Sequence, residues 1–323
     1  MINQYKGGSV MKKVAKFVAL LAAIAVMASC GVAHAAWPEG KVTIVWHSSA
    51  GSAGDLLFRA LAKFMEVKTK VPFIVENITG ASGANAWTRT ARAKPDGSTL
   101  QGVSSTFIAS PVQNNMSVNY TSFDPVVRLF IDPLCIYTAG DSPYKTLEEF
   151  FAEAKKRPGE LSATAGTAGS LELFSTRQLM KEAGVDVAFV PFEGGGEGLV
   201  AVMGGHVTVG VGEYAEVAST VAGGKIRVLA TFNKIETLDV PSVAELGYKT
   251  KLEKFRGVIV PKGTPQAIKD SITALLKEAM EDPELKVYYA NNHLIPAFAL
   301  ADEFYKAMEA QTEEVKAIMA DSK

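Results

Sequence analysis

The chain has little of what metal proteins and many enzymes are built from. Only two cysteines and four histidines occur among its 323 residues. Cys135 is left without a partner once the leader described below, which carries Cys30 and His34, is removed, so no internal disulfide is expected. The other histidines, His47, His206 and His293, lie too far apart in sequence to suggest a His/Cys metal cluster, and neither a metal nor a cofactor is expected. No Gly-x-Ser-x-Gly elbow, phosphate-binding loop or His-Glu-x-x-His motif occurs, and GGGEGL at residues 194–199 lacks the full spacing of a dinucleotide fingerprint. These absences argue against catalysis; a secreted α/β hydrolytic enzyme acting on a small acid or ester stays as the alternative, and a pure scaffold as a third class.

Long apolar runs are equally scarce. FVALLAAIAVMA, 12 residues from Phe17, is too short to span a bilayer comfortably, and no second run follows. It is preceded by Lys12 and Lys13 and followed by Ala33-His34-Ala35, which reads as a secretory signal peptide over residues 1–35, with Met11 as a plausible start and the periplasm as destination. Lipid attachment at Cys30, within Met27-Ala28-Ser29-Cys30, is the competing reading. Cleavage leaves 29 basic against 34 acidic side chains, a net charge of −5, which argues against nucleic acid as a partner.

What is present is a globular α/β pattern: 48% hydrophobic and 21% charged residues. Short apolar runs predict strands at 42–46, 73–75, 100–104, 161–164, 187–190, 207–211, 228–231 and 257–260. Helical patterns lie between them at 55–66, 84–93, 147–156, 170–183 and 198–203, the third opened by a Thr146/Glu149 capping box. The alternation predicts parallel sheets covered by helices. From Pro265 onward the pattern reads as helical only. No linker rich in Pro, Gly or Ser divides the chain, which suits two lobes joined by crossing strands: residues 37–135 plus 257–323, and 136–256.

The segment HSSAGSAGD, residues 47–55, lies between a strand and a helix, where backbone N–H groups and a partial positive charge meet anions. Ser48, Ser49 and Ser52 offer hydroxyls, Gly51 and Gly54 allow close backbone approach, and Ser52 with Asp55 fits a capping box. Three further small, donor-rich loops follow strands at 76–83, 164–170 and 192–196. Together they predict a neutral cradle for a carboxylate, without a fixed cation. His47 is a candidate ligand contact beside the first loop. Glu213, after the strand at 207–211, is a candidate for a cationic or hydroxylated part of the ligand.

At ENITGASGANAWTRTARAKPDGSTL, VPFEGGGEGLVAVMGGHVTVGVGEY, LDVPSVAELGY and VIVPKGTP the chain resembles the extracytoplasmic solute receptors of tripartite tricarboxylate transporters, the Bug family. The resemblance covers the whole mature chain. It implies a two-lobed periplasmic binding protein fold of type II, monomeric, that closes by a hinge on a small organic carboxylate and delivers it to a membrane permease. It also implies ligand contacts at Ser49, Ala50, Gly51, Ser52, Ala53, Asn77, Ser105, Thr106, Thr167, Ala168, Gly169 and Ser170. The chain departs from the family in its first loop, which lacks the usual Pro and three Gly, and at Leu173, where a His is usual. Which acid is bound is left open.

Overall fold

β1 (Val42–Trp46) is VTIVW, β-branched and buried on both faces, and so takes an interior position in a sheet. β2 (Phe73–Asn77) and β3 (Thr99–Ser104) flank it in parallel register. Between β1 and β2, α1 (Ala53–Thr69) lays Leu57, Phe58, Leu61 and Met65 against the sheet at helical spacing and stops at Lys70 in the left-handed conformation. α2 (Ala84–Ala91) and α3 (Thr106–Gln113) follow β2 and β3. The computed structural model describes residues 37–165, 170–192, 195–250 and 253–320, so the signal peptide expected over residues 1–35 and the lipidation alternative at Cys30 lie outside the described residues. Gly40–Lys323 forms one compact unit.

The sheet containing β1 is mixed rather than parallel. β4 (Phe123–Asp132), β10 (Lys254–Pro261) and β11 (Ile295–Leu300) join it antiparallel, giving the order β11-β4-β10-β3-β1-β2. The chain after Pro265 is therefore not purely helical: β11 lies between α9 (Pro283–Asn291) and α10 (Ala301–Ala320), and α8 (Gln266–Glu281) precedes them. In the second sheet, β6 (Ser162–Ala165) runs parallel to β7 (Ala188–Phe189) and to β8 (Val209–Glu213), while β5 (Leu134–Ala139) is antiparallel to β8 and to β9 (Ile226–Thr231), in the order β7-β6-β8-β5-β9. α4 (Leu147–Lys156), α5 (Leu171–Ala183), α6 (Gly195–Met203) and α7 (Tyr214–Ala222) belong to this second half.

Two crossings join the sheets. β4 passes into β5 through Pro133, which has no N–H to give to either ladder, and the chain returns between β9 and β10. At the return, the Ser105 hydroxyl donates to Glu253 O at 2.6 Å and accepts from Phe255 N at 3.0 Å, tying the end of β3 to the start of β10. Direction now places the site. β1, β2 and β3 end at the same edge of their sheet, and β10, being antiparallel, begins there, with Arg256 opposite Ser104 and Lys254 opposite Asp132.

Candidate functional site

The strand ends of both sheets line one cleft of about 620 Å³. One wall is the loop from His47 to Gly54. Its hydrogen bonds differ from the expected capping box: Ser52 makes no side-chain cap, and its Oγ accepts from the Trp46 indole N–H at 3.1 Å. Asp55 is the organiser instead. Its Oδ2 accepts from Gly51 N at 2.8 Å and Arg59 Nε at 2.9 Å, and its Oδ1 from Asn77 Nδ2 at 2.9 Å. Burial opposes the Asp55 charge, but these hydrogen bonds prevail and hold its carboxyl below the usual range. The first turn of α1 therefore carries no side-chain cap, and its Ala53 and Gly54 line the cleft.

The two glycines of this loop do different work. Gly51 has φ +83° with open space where a Cβ would stand, so its need is for backbone conformation. Gly54 is not there for ligand approach: a Cβ would collide with the six-membered ring of Trp46, so it seats the indole. A second wall, from Thr79 to Gly83, holds four consecutive positive-φ residues, Gly80, Ala81, Ser82 and Gly83, two of them non-glycine. Such strain persists only where surrounding structure enforces it and is common at ligand sites. Aromatic rings back the first wall: Trp46 and His47 are 4.3 Å apart, His47 and Trp87 5.8 Å, Trp87 and Phe107 5.3 Å.

The inner end of the cleft is charged, which overturns the expectation of a cradle free of fixed cations. Lys254 and Arg256, on one face of β10, both line it. Lys254 Nζ lies 2.6 Å from Glu172 Oε1, in the first turn of α5, and 2.5 Å from Glu213 Oε1, at the end of β8. Arg256 is buried and pairs with Asp132, reaches Glu213 at 3.5 Å, and sits 5.5 Å from the Trp46 ring. Burial disfavours every one of these charges, yet Lys254 and then Arg256 hold the Glu213 carboxyl down at about 2, and Glu172 and Glu213 hold the Lys254 ammonium well above its ordinary value. His47 takes the opposite course: burial, then Arg256 and Lys254, push it down to about 3, so its ring is neutral. Its Nδ1 has no hydrogen-bond partner among the described residues.

Of the expected ligand contacts, His47, Ser48, Ser49, Ala50, Gly51, Ser52, Ala53, Thr106, Ser170 and Glu213 line the cleft. Ser170 Oγ also caps α5 by accepting from Leu173 N at 3.1 Å. Two residues are engaged elsewhere. Asn77 braces the first loop, donating to Ser48 O as well as Asp55 and accepting from Arg59, and Ser105 is spent on the crossing to β10. Neither lines the cleft. Thr167, Ala168 and Gly169 lie outside the described residues, as does part of the 192–196 loop. Sequence reasoning missed Trp46, Ser104, Glu172, Glu216, Lys254 and Arg256. The one local signal was the alternation Lys254-Phe255-Arg256 leading into an apolar strand, which puts two cations on one face.

Among the described residues no group of His, Cys, Asp and Glu is arranged to hold a metal ion, and no helix is long and apolar enough to cross a membrane. The tripartite tricarboxylate transporter family receptor profile matches residues 57–323. The UPF0065 protein in the gbd 5′ region of Cupriavidus necator is 30% identical over 294 residues, covering 88% of each chain. A TctC solute binding protein from Polaromonas, solved with no ligand, is 26% identical with a TM-score of 0.74, covering 88% of this chain and 99% of its own. MatC from Rhodopseudomonas palustris, solved with bound malate, shares the fold at 24% identity and a TM-score of 0.75, covering 87% and 99%. The fold is thus that of the periplasmic solute-binding proteins, and with the receptor profile spanning most of its length the chain belongs to the tripartite tricarboxylate transporter receptor family.

Proposed function

We propose that this protein is an exported receptor that captures a small organic carboxylate between its two lobes and hands it to a separate membrane permease. One observation carries this reading: a cleft is lined from both sheets, and one wall presents serine hydroxyls and the uncapped amino-terminal turn of α1. Those groups are donors fixed in place before a ligand arrives. A carboxylate at such a helix end gains from the partial positive charge and from charge-assisted hydrogen bonds of about 1.5–3 kcal/mol each before ordering costs. Three such bonds are compatible with micromolar binding. The malate bound by the Rhodopseudomonas palustris protein of the same fold supports the ligand class.

The two lobes, one built on each sheet with the chain crossing at Pro133 and again between β9 and β10, close by bending at the two crossings, since a ligand that touches both walls favours the state in which both are near. Residues 1–35 act as the export signal, and the mature chain works in the periplasm, as a monomer. Calorimetry and thermal denaturation against a panel of short carboxylates test the binding step. A ligand at 100 times its Kd stabilises the fold by about 2.7 kcal/mol. The ligand recovered chemically unchanged identifies a receptor; turnover identifies a hydrolase and ends this reading.

A further inference from the structure

The charges at the inner end of the cleft do not balance, and the imbalance has a sign. Two cations, Lys254 and Arg256, stand among four carboxylates: Asp132, Glu172, Glu213 and Glu216. Both cations are already paired with carboxylates. Lys254 is held between Glu172 and Glu213, and Arg256 is forked onto Asp132 with Glu213 beside it. His47 is neutral and adds no positive charge. The side chain left over is Glu216, one turn along α7 from Glu213; it lines the cleft and has no hydrogen bond or salt bridge among the described residues. A second observation points to an occupant: Ser104 lines the same cleft, is 1% exposed, and its Oγ has no partner among the described residues. A buried hydroxyl without a partner is costly unless something fills that role, and a hydroxyl oxygen accepts readily from an N–H donor.

We propose that the ligand is a zwitterion: a small carboxylate that also carries a protonated amine, with the carboxylate held by the Ser48–Ala53 loop and the ammonium taken by Glu216 and Glu213. This rests on the receptor reading and narrows it. A dicarboxylate placed the same way brings its second negative charge to a site that already has surplus negative charge and whose two cations are each paired with a carboxylate. An ammonium there halves the surplus negative charge and supplies donors that Glu216 lacks. Glu216 is exposed at the cleft, and partial desolvation, and next the Glu213 charge, push its carboxyl up to about 7, against the pull of Lys254 and Arg256 and with the push of Asp132.

The test is calorimetry on the full mature chain with four matched series of three to six carbons: monoacids, diacids, α-amino acids and ω-amino acids. The expected result is that an amino acid binds at least tenfold more tightly than the diacid of equal length at pH 8. Its advantage should shrink toward pH 6 as Glu216 takes up a proton. Glu216→Gln should lower amino-acid affinity about tenfold and leave or improve diacid binding; because Glu216 makes no hydrogen bond or salt bridge among the described residues, the variant should keep the fold, which circular dichroism confirms. A diacid that equals or beats its matched amino acid in the unsubstituted protein overturns the zwitterion while leaving the receptor intact. Binding by none of the four series removes the receptor reading as well. Stabilisation by calcium or magnesium alone, reversed by a chelator, replaces the amine with a metal and also overturns the proposal.

Discussion

Gly51 and His47, four residues apart, are constrained for unrelated reasons. Gly51 holds φ +83° with nothing within 4 Å of the place a Cβ would take, so a larger residue meets conformational strain rather than a clash with protein atoms. Gly51→Val should therefore cost about 1–2 kcal/mol in stability from backbone strain and abolish carboxylate binding, because the loop that Asp55 anchors through the Gly51 amide is displaced. Chemical denaturation and calorimetry on the same preparation separate the two effects, and unchanged affinity would remove the loop from the site. His47 is constrained by charge. Its folded form resists protonation down to about pH 3, whereas the unfolded chain takes up the proton near 6.5, so stability is present above pH 6.5 and drains away as the pH falls below it. Between pH 6.5 and 5, before most carboxylates titrate, His47→Gln should lose stability less steeply than the unsubstituted protein in thermal melts; His293, also held down by burial, contributes equally to both.

At the scale of elements, the strands that lead into the first wall are legible in the sequence, and the strands that carry the charge are not. β1 is an uninterrupted run of apolar or small residues, β3 is broken only at Gln101, and the 47–55 loop announces itself by composition. β4 hides because Asp124, Pro125, Arg128 and Asp132 break its apolar run; Arg128 and Asp132 find their partners only across the sheet, at Ala297 O, 2.9 Å away, and at Arg256. The apolar pattern of β10 begins only at Gly257, because Lys254 and Arg256 look like a solvated lead-in. Their partners, at 132, 172 and 213, share no spacing with them, so a network assembled from four elements leaves no local pattern in the chain. β5 is a different case, an apolar run between Pro133 and Gly140 that meets the same criterion as β1. The crossing beside β3 carries its own prediction. Ser105→Ala strips a buried donor and acceptor from Glu253 O and Phe255 N and should destabilise the protein by about 1–3 kcal/mol without changing the affinity for a carboxylate that it does not touch. A loss of affinity with stability intact would return Ser105 to the binding wall.

For the whole molecule, the strand order has a consequence for how the protein is made. β10 occupies a central place in the first sheet, between β3 and β4, yet it comes from beyond residue 253 of the chain. Until that late segment is available, β3 and β4 have no common neighbour, and the first sheet remains two separate fragments. The second sheet is self-sufficient between Leu134 and Thr231. Pairings between distant parts of a chain form slowly because the intervening loop must close first. Pulse-labelling hydrogen exchange during refolding should accordingly show the amides of β5 and β8 protected before those of β3 and β10; simultaneous protection would contradict this order. A chain whose first-made strands wait on a segment beyond residue 253 of 323 leaves its first sheet open until synthesis is nearly complete, and an open sheet is more easily drawn out into the extended form in which a polypeptide threads through a narrow pore.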